Sequence, residues 1–144
     1  TLSAVLDGAV GLEKSRYRPM RRYHLARIQA FIRDNLADPR LGAEWMSAAL
    51  QLSPSHIHRI FEGQAQTLSA TIWQQRLEAC RRDLARPELL CIDVGEIGYR
   101  WGFSDLAHFS RRFRQAFGVS PRAWRHAQLG SLSAGCVSAE DESP

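Results

Sequence analysis

The stretch from Gly95 to Arg125, GEIGYRWGFSDLAHFSRRFRQAFGVSPRAWR, decides the fold class of this chain. Its apolar residues recur at helical spacing, without the alternation that is typical of a strand. Phe109, Phe113 and Phe117 form one such stripe. Gly102 marks a turn ahead of it, since glycine adopts a left-handed backbone more easily than other residues. The stretch therefore predicts a short helix and a longer helix joined by a tight turn.

The same arrangement occurs earlier in the chain. In each half, a short helix leads through a brief turn and a serine cap into a helix that contains arginine and ends in phenylalanine. Ser53 and Ser104 are the predicted matching caps, because a serine hydroxyl accepts a hydrogen bond from the first turn of a helix. When Phe61 is aligned with Phe113 the helix bodies match, but the caps slip by one residue. Two helices that meet in this way form a helix-turn-helix, whose second helix, the recognition helix, enters the major groove of DNA.

Proline, glycine and composition divide the chain into segments. Residues 1–12 are predicted to form a short apolar helix, and the basic stretch 13–20, which contains Pro19, to be a linker. After Arg125 little apolar mass remains for packing, which predicts a flexible end. We predict a tandem helix-turn-helix domain over residues 21–126. The expected segments are the tail of an upstream domain with its linker (1–20), a first unit (22–66), a linking helix (67–85), a second unit (90–126) and a flexible tail (127–144).

The linking helix predicted over residues 67–85 sets the distance between the two units. At ~1.5 Å per residue it would span roughly 28 Å. Successive major-groove faces of B-form DNA lie about 34 Å apart. A rigid spacer of that length would hold two recognition helices in adjacent major grooves, and one chain would cover about two turns of DNA without dimerising.

The apolar stripes also predict which faces of the two recognition helices stay exposed. Inward-pointing Ile57 and Ile60 leave the opposite face of the first helix for contact with bases. Arginine pairs bidentately with guanine, and leucine or alanine contacts a thymine methyl group. The candidate base-reading residues are Ser55, His58 and Arg59 in the first helix and Leu106, Ala107, Ser110 and Arg111 in the second. The candidate phosphate contacts are Ser53, Ser104, Arg112 and Arg114.

The basic charge of the chain is weaker evidence for a nucleic-acid partner. The net charge is +4 at pH 7, and residues 21–126 hold sixteen arginines and no lysine against ten acidic residues. Arginine presents a planar fork of donors that suits phosphates and guanine edges. A GC-rich genome would also favour arginine over lysine, and most surface charges form a solvated helix face. Arg59 and Arg111, on equivalent faces of repeated units, favour DNA over that alternative.

Three parts of the chain resemble the signature of the AraC/XylS family of transcription regulators. They are the stretch Gly95–Arg125, the segment LSPSHIHRIF at Leu52–Phe61 and the pair Arg76-Leu77. The likeness covers about residues 22–125. It implies an all-α, seven-helix domain of two helix-turn-helix subdomains that reads double-stranded DNA at the candidate base-reading positions. It further implies an upstream domain that senses an effector or dimerises, and it favours activation over repression. We expect a bacterial, cytoplasmic regulator that recruits or positions RNA polymerase at a promoter.

Four positions depart from the family pattern. Gln51 lies at a turn position where glycine is common, and Ala65 lies where glycine often follows the first recognition helix. Thr71 replaces a usual aromatic residue on the linking helix. Gly98 replaces a usual alanine inside a helix, which costs about 1 kcal/mol in helix propensity. These departures bear on the rigidity of the first unit rather than on the fold.

Other functional classes fit the sequence less well. No nucleophile elbow, acid pair or metal-ligand spacing surrounds the histidines, so we expect neither catalysis nor a metal or other cofactor. The sequence predicts no membrane span, because it contains no run of about 18 apolar residues. A helical protein-interaction module and a nonspecific architectural DNA binder are the alternatives. A steep dependence of affinity on salt identifies a DNA binder, and a specificity ratio separates a regulator from an architectural protein.

Overall fold

The structure, a computed structural model, describes the backbone of residues 2–130 and the side chains of residues 17–130. Over that part of the chain it contains seven α-helices, one short 3₁₀ helix and no strand. The predicted all-α fold class is therefore confirmed for the described residues. The elements are α1 (Leu2–Asp34), α2 (Ala43–Leu50), α3 (Pro54–Phe61), α4 (Leu68–Leu84), the 3₁₀ helix (Pro87–Leu89), α5 (Val94–Arg100), α6 (Leu106–Phe117) and α7 (Pro121–Leu129).

The described chain forms two compact units. Unit 1 contains residues 2–35 and 41–68, and unit 2 contains residues 36–40 and 69–130. The helices α1, α2 and α3 belong to unit 1, and α5, α6 and α7 belong to unit 2. Nearly all of α4, the predicted linking helix, belongs to unit 2 as well. Each unit therefore holds one pair of short helices separated by a tight turn, α2 with α3 and α5 with α6.

Unit 1 is built on an apolar face of α1. Ile28 and Ile32, about one helical turn apart, are fully buried, as are Met46 of α2 and Ile57 and Ile60 of α3. Burial of one such side chain stabilises the fold by roughly 1.5–3 kcal/mol. The helices α2 and α3 have eight residues each, and helices of that length are unstable alone in water. Their packing on α1 therefore holds them in place.

The core of unit 2 combines aliphatic side chains of α4 and α5 with a row of phenylalanines. Phe103, Phe109, Phe113 and Phe117 follow one another with neighbouring ring centroids 4.7–5.9 Å apart. Gly98 of α5 lies against this row, because a Cβ added there would come within 2.8 Å of Cδ1 of Phe109. A glycine that is unfavourable for an isolated helix thus lets a buried ring pack directly on the backbone of α5.

The start of the chain differs from its prediction. Residues 13–20, predicted as a linker between two helices, are helical, and α1 continues through them from Leu2 to Asp34. Pro19 lies inside this helix. Proline lacks an N–H and removes one backbone hydrogen bond, but a long helix continues past it when the residues on both sides favour helix. The stretch contains no glycine, and its basic side chains are compatible with helix.

The last helix is longer than predicted. It continues to Leu129 rather than ending near Trp124, so the predicted flexible tail over 127–144 begins too early. Leu129 is buried, and the burial of this side chain stabilises the final turn of α7. The remainder of that predicted tail, residues 131–144, lies outside the described residues.

Candidate nucleic-acid interface

The recognition helix of unit 1 is α3, and its start agrees with the sequence. Ser53 caps it, because Ser53 Oγ accepts a hydrogen bond from the backbone N–H of His56 at 3.1 Å. Pro54 occupies the first helical position, where a missing N–H leaves no hydrogen bond unmade. Ile57 and Ile60 are fully buried, which confirms the predicted inward stripe.

The opposite face of α3 carries three of the predicted base-reading residues. Ser55, His58 and Arg59 are all exposed. His56, between them in sequence, turns inward and packs edge-on against His24 of α1 with ring centroids 5.5 Å apart. The structure therefore separates the residues that hold α3 on α1 from a polar, basic face that is open to solvent.

The sequence predicted Ser104 as the cap of α6, and this prediction is wrong. The cap is Asp105. Oδ1 of Asp105 accepts a hydrogen bond from the backbone N–H of Ala107 at 2.9 Å, and Ser104 lies one residue earlier, in the turn. Serine and aspartate are both favoured as caps. Because the two stand next to each other here, sequence alone could not decide between them.

With the cap corrected, the two recognition helices align without a slip. Arg59 lies six residues after its cap Ser53, and Arg111 lies six residues after its cap Asp105. The extra residue of unit 2, Ser104, belongs to the turn. An α-helix turns by a fixed angle per residue, so the two arginines occupy the same angular position on their helices.

The helix α6 presents an exposed face that matches that of α3. Leu106, Ala107 and Arg111 are exposed, and Ser110 is half-buried. Leu106 is a large apolar side chain at the start of α6 and is 42% exposed. Arg114, a predicted phosphate contact, is exposed one turn beyond Ser110. All seven predicted base-reading residues therefore reach the surface of α3 or α6, although Ser110 does so only in part.

Arg112, another predicted phosphate contact, is half-buried in unit 2. Its Nε donates a hydrogen bond to Nε2 of His108 at 2.9 Å, and its guanidinium lies 4.9 Å from the ring centre of Trp73 on α4. His108 packs edge-on against the same tryptophan at 5.5 Å. These contacts hold α6 on α4. Sequence reasoning missed them because Arg111 and Arg112 look alike in sequence but lie on different faces of the helix.

Arg76 of α4 was not predicted as a structural centre, although it is only 2% exposed. Its Nε donates to the carbonyl oxygen of Leu36 at 2.9 Å, and its Nη2 donates to that of Asp38 at 2.7 Å. Burial lowers the pKa of Arg76, an effect that the nearby Asp38 opposes. An arginine titrates so high that it remains charged in proteins. The sequence offered no signal for these contacts, because both carbonyls lie about 40 residues away along the chain.

Two more arginines also donate to backbone carbonyls inside their own unit. Arg21 of α1 donates to carbonyls at the end of α3. Arg125 of α7 donates to Leu89 at 3.3 Å, Leu90 at 3.3 Å and Ile92 at 2.7 Å, ahead of α5. The net positive charge therefore overstates the charge that is available for DNA, since part of it stabilises the fold.

One cavity of about 290 Å³ lies in unit 2 and is lined by Asp93, Val94, Arg122, Arg125 and His126. None of the predicted DNA-contact residues lines it. Within the part of the chain that the structure describes, no group of three His, Cys, Asp or Glu side chains is placed to hold a metal ion. No described helix is both long and apolar enough to cross a membrane. The candidate interface consists of the exposed faces of α3 and α6, which carry the predicted base-reading residues.

Residues 46–127, more than half of the chain, match a family model described as a helix-turn-helix domain. The chain belongs to the AraC/XylS family of helix-turn-helix proteins. The resemblance drawn from the sequence is thereby confirmed. The match begins inside α2 and ends in α7, so it covers most of the first helix pair and all of the second in this AraC/XylS domain.

Curated relatives of the domain are named as transcriptional activators. The transcriptional activator NphR of Rhodococcus is 40% identical over 109 residues, which are 74% of this chain and 32% of the relative. The transcriptional activator RhaS of Escherichia coli is 36% identical over 108 residues, which are 73% of this chain and 37% of that protein. The chain therefore spans about a third of the length of these relatives.

Two solved structures show the same fold as the described part of this chain. A DNA-binding transcriptional dual regulator from Escherichia coli K-12 superposes with a TM-score of 0.63 at 16% identity, over 71% of this chain and 94% of that one. The C-terminal domain of AraT, a response regulator from Geobacillus stearothermophilus, superposes with a TM-score of 0.60 at 24% identity, over 71% and 83%. At these identities the likeness establishes the fold alone.

Proposed function

We propose that this chain is the sequence-specific DNA-binding part of a bacterial transcription activator, and that α3 and α6 enter adjacent major grooves of a promoter site. One observation carries the proposal. Arg59 and Arg111 lie at the same distance from their helix caps, on the exposed faces of two short helices. An ordinary solvated surface has no reason to repeat this register, whereas two helices that read DNA in the same orientation do.

The proposed base contacts follow from side-chain chemistry. Each of the two arginines pairs with a guanine, since a guanidinium donates bidentately to O6 and N7. Ser55 and His58 contribute short polar groups on the edge of α3. Leu106 and Ala107 suit the methyl group of thymine, and the partly exposed Ser110 adds a hydroxyl.

The proposed phosphate contacts are less uniform. Ser53, Ser104 and Arg114 are exposed next to the base-reading faces and suit the phosphates along the groove. Arg112 already bonds to His108. An arginine has five N–H donors, so a phosphate contact by Arg112 is compatible with that bond. We expect its replacement to affect both stability and affinity.

The relatives suggest what the whole protein does beyond this DNA-binding part. Their names favour activation over repression. Because this chain spans about a third of their length, we propose that the whole protein has a further domain that senses an effector or dimerises. Contact with RNA polymerase would follow promoter binding, in the bacterial cytoplasm. We propose that this chain carries out no catalytic step.

Selection from a random duplex library, followed by footprinting at near-physiological salt, tests the proposal. We expect an asymmetric protected site of about two helical turns, because each unit reads one major groove. The matched control is the double variant R59A/R111A, which keeps both helix caps and both buried faces. It should lose the enriched sequence while keeping weak, salt-dependent binding.

The other outcomes identify the rival functions. Enrichment of a single short half-site would mean that one unit alone reads DNA. Binding that falls steeply with salt but enriches no sequence would identify an architectural DNA binder. If no binding to DNA occurred at any salt concentration, the DNA-reading proposal would be wrong and a protein-interaction module would replace it.

A further inference from the structure

Arg21 lies on α1, outside the predicted interface, yet it contacts the end of a recognition helix. Its Nε and Nη2 donate to the carbonyl oxygen of Ile60 at 3.1 and 2.9 Å, and Nη2 also donates to the carbonyl oxygen of Glu62. Ile60 belongs to the last turn of α3, and Glu62 is the residue that follows the helix. One guanidinium therefore spans the end of α3.

These contacts occur where a helix needs partners. The last carbonyls of a helix have no N–H of their own helix to accept from. In α3, Glu62 N donates to Arg59 O and Gln64 N donates to Phe61 O, both close to 3 Å. The carbonyl of Ile60, between them, is satisfied by Arg21. A cation at this position also interacts favourably with the negative end of the helix dipole.

A second arginine of α1 makes a similar contact with the other helix of the pair. Nη2 of Arg27 donates to the carbonyl oxygen of Leu50, the last residue of α2, at 3.5 Å. This bond is long and therefore weak. Arg21 makes the shorter and more numerous contacts. Its partner is the helix that carries Ser55, His58 and Arg59.

We propose that Arg21 is a positioning residue for DNA reading by unit 1. Its guanidinium fixes the direction of α3 relative to α1 by holding the carbonyl end of the helix, and it does not contact DNA itself. The inference rests on the proposed function of α3 as a recognition helix. An eight-residue helix with one free end can tilt, and a tilt moves Arg59 away from a guanine edge that it must meet within hydrogen-bond distance.

Arg22 provides the matched control. It is the next residue on α1, it carries the same charge and it is exposed. R21Q and R22Q each remove one positive charge from the same place on the chain. A phosphate contact would respond in affinity at every sequence and in the salt dependence. A positioning residue should instead change the preference for the bases that α3 reads.

The experiment measures two properties of the native chain, R21Q, R21K and R22Q. The first is hydrogen exchange of the backbone amides of residues 55–64 in the absence of DNA. The second is affinity for the selected site and for sites altered in either half. We expect R21Q to exchange about tenfold faster over residues 55–64, because the variant removes the charged hydrogen-bond donor of the Ile60 carbonyl. It should also lose about tenfold discrimination in the unit 1 half-site only.

R22Q should match the native chain in both measurements, and R21K should fall between the native chain and R21Q because lysine restores the charge without the fork. R21K also keeps the test decisive if R21Q unfolds unit 1. Unchanged exchange in R21Q and R21K would overturn the inference, as would an equal loss of affinity at all sequences. If the native chain showed no sequence preference, the proposed function would fail, while hydrogen exchange would still decide whether Arg21 holds α3.

Discussion

The turn between α2 and α3 and the turn between α5 and α6 both lead into a capped recognition helix, but they use different residues. In unit 1, Gln51 adopts the left-handed conformation with a φ of 56°, and the cap Ser53 follows two residues later. In unit 2, Gly102 adopts it with a φ of 92°, and the cap Asp105 follows three residues later. A residue other than glycine is strained by roughly 1–2 kcal/mol in this conformation.

The difference follows from what lies beside each turn. A Cβ added to Gly102 would approach Cζ of Arg76 to 2.9 Å, and Arg76 is buried and bonded to two backbone carbonyls. The side chain of Gln51 is exposed. In unit 2 both conformation and space require glycine. In unit 1 only conformation favours it, so a glutamine is tolerated at the expense of stability.

The largest effect is expected for G102A. Alanine would be strained by its positive φ and would displace Arg76, a combination that should lower the free energy of unfolding by about 2–4 kcal/mol. Urea unfolding of protein labelled with fluorotryptophan measures this for each unit. Trp45 is the only tryptophan in unit 1, and the other three report on unit 2.

The control for this variant is G118A. Gly118 also has a positive φ, of 79°, but nothing lies within 4 Å of a Cβ added there. It should therefore lose only the roughly 1–2 kcal/mol of backbone strain. Equal losses in the two variants would show that Arg76 moves aside freely and that unit 2 is not constrained through its turn.

The next effect concerns DNA and compares the two recognition helices. R111A should weaken binding to the selected site by about 1–3 kcal/mol and relax one base position in the unit 2 half-site. R59A should do the same in the unit 1 half-site. R114A is the control, because loss of a phosphate contact weakens binding to all sequences alike and lowers the salt dependence. If R111A behaved as R114A does, Arg111 would be a phosphate contact, and if it changed nothing the docking geometry would be wrong.

Local features of both units could be predicted from the sequence. The burial of Ile57, Ile60 and Phe109 follows from apolar spacing within single helices, and such spacing depends on residues a few positions apart. The same spacing predicted the exposed faces of α3 and α6. The spacing therefore places Arg59 and Arg111 on exposed helix faces, and the structure has both side chains exposed there.

Hydrogen bonds between residues that are distant along the chain could not be predicted from the sequence. The carbonyls that Arg76 and Arg21 contact lie 38 to 41 residues away, and nothing in the neighbouring residues marks them. The prediction of the α6 cap was wrong for a local reason. Ser104 and Asp105 are adjacent, and both residue types are favoured as helix caps. The prediction of a linker over residues 13–20 was wrong because it rested on composition and on Pro19, whereas α1 continues through this stretch.

A smaller effect, of opposite sign to G102A, is expected for Q51G. Glycine relieves the strain of the positive φ, roughly 1–2 kcal/mol, but adds freedom to the unfolded chain worth about 0.4–1 kcal/mol. The net gain in the stability of unit 1 should be about 0.5–1 kcal/mol, measured by urea unfolding through Trp45. Q51A serves as the control, because it removes the same side chain and keeps the strain. A loss of stability in Q51G would contradict a left-handed turn in unit 1.

The two units also differ in how they use a histidine three residues after the cap. In unit 1, His56 packs edge-on against His24, whose Nδ1 is buried without a hydrogen-bond partner. In unit 2, His108 accepts a hydrogen bond from Arg112 and packs on Trp73. A proton on His24 would therefore lie beside a second histidine. The stability of unit 1 should therefore respond to mild acid.

The smallest expected effect is this pH dependence. Burial, with smaller contributions from His56 and Arg27, lowers the pKa of His24 below its ordinary value of 6.5. The unfolded chain then binds the proton more readily, so unit 1 keeps its full stability above pH 6.5 and loses stability as the pH falls below that value. H24F should remove this loss, measured through Trp45 at pH 7.5 and 5.5, whereas H58Q, which changes an exposed histidine, should retain it. An equal loss in H24F and in the native chain would assign the pH dependence to a group other than His24.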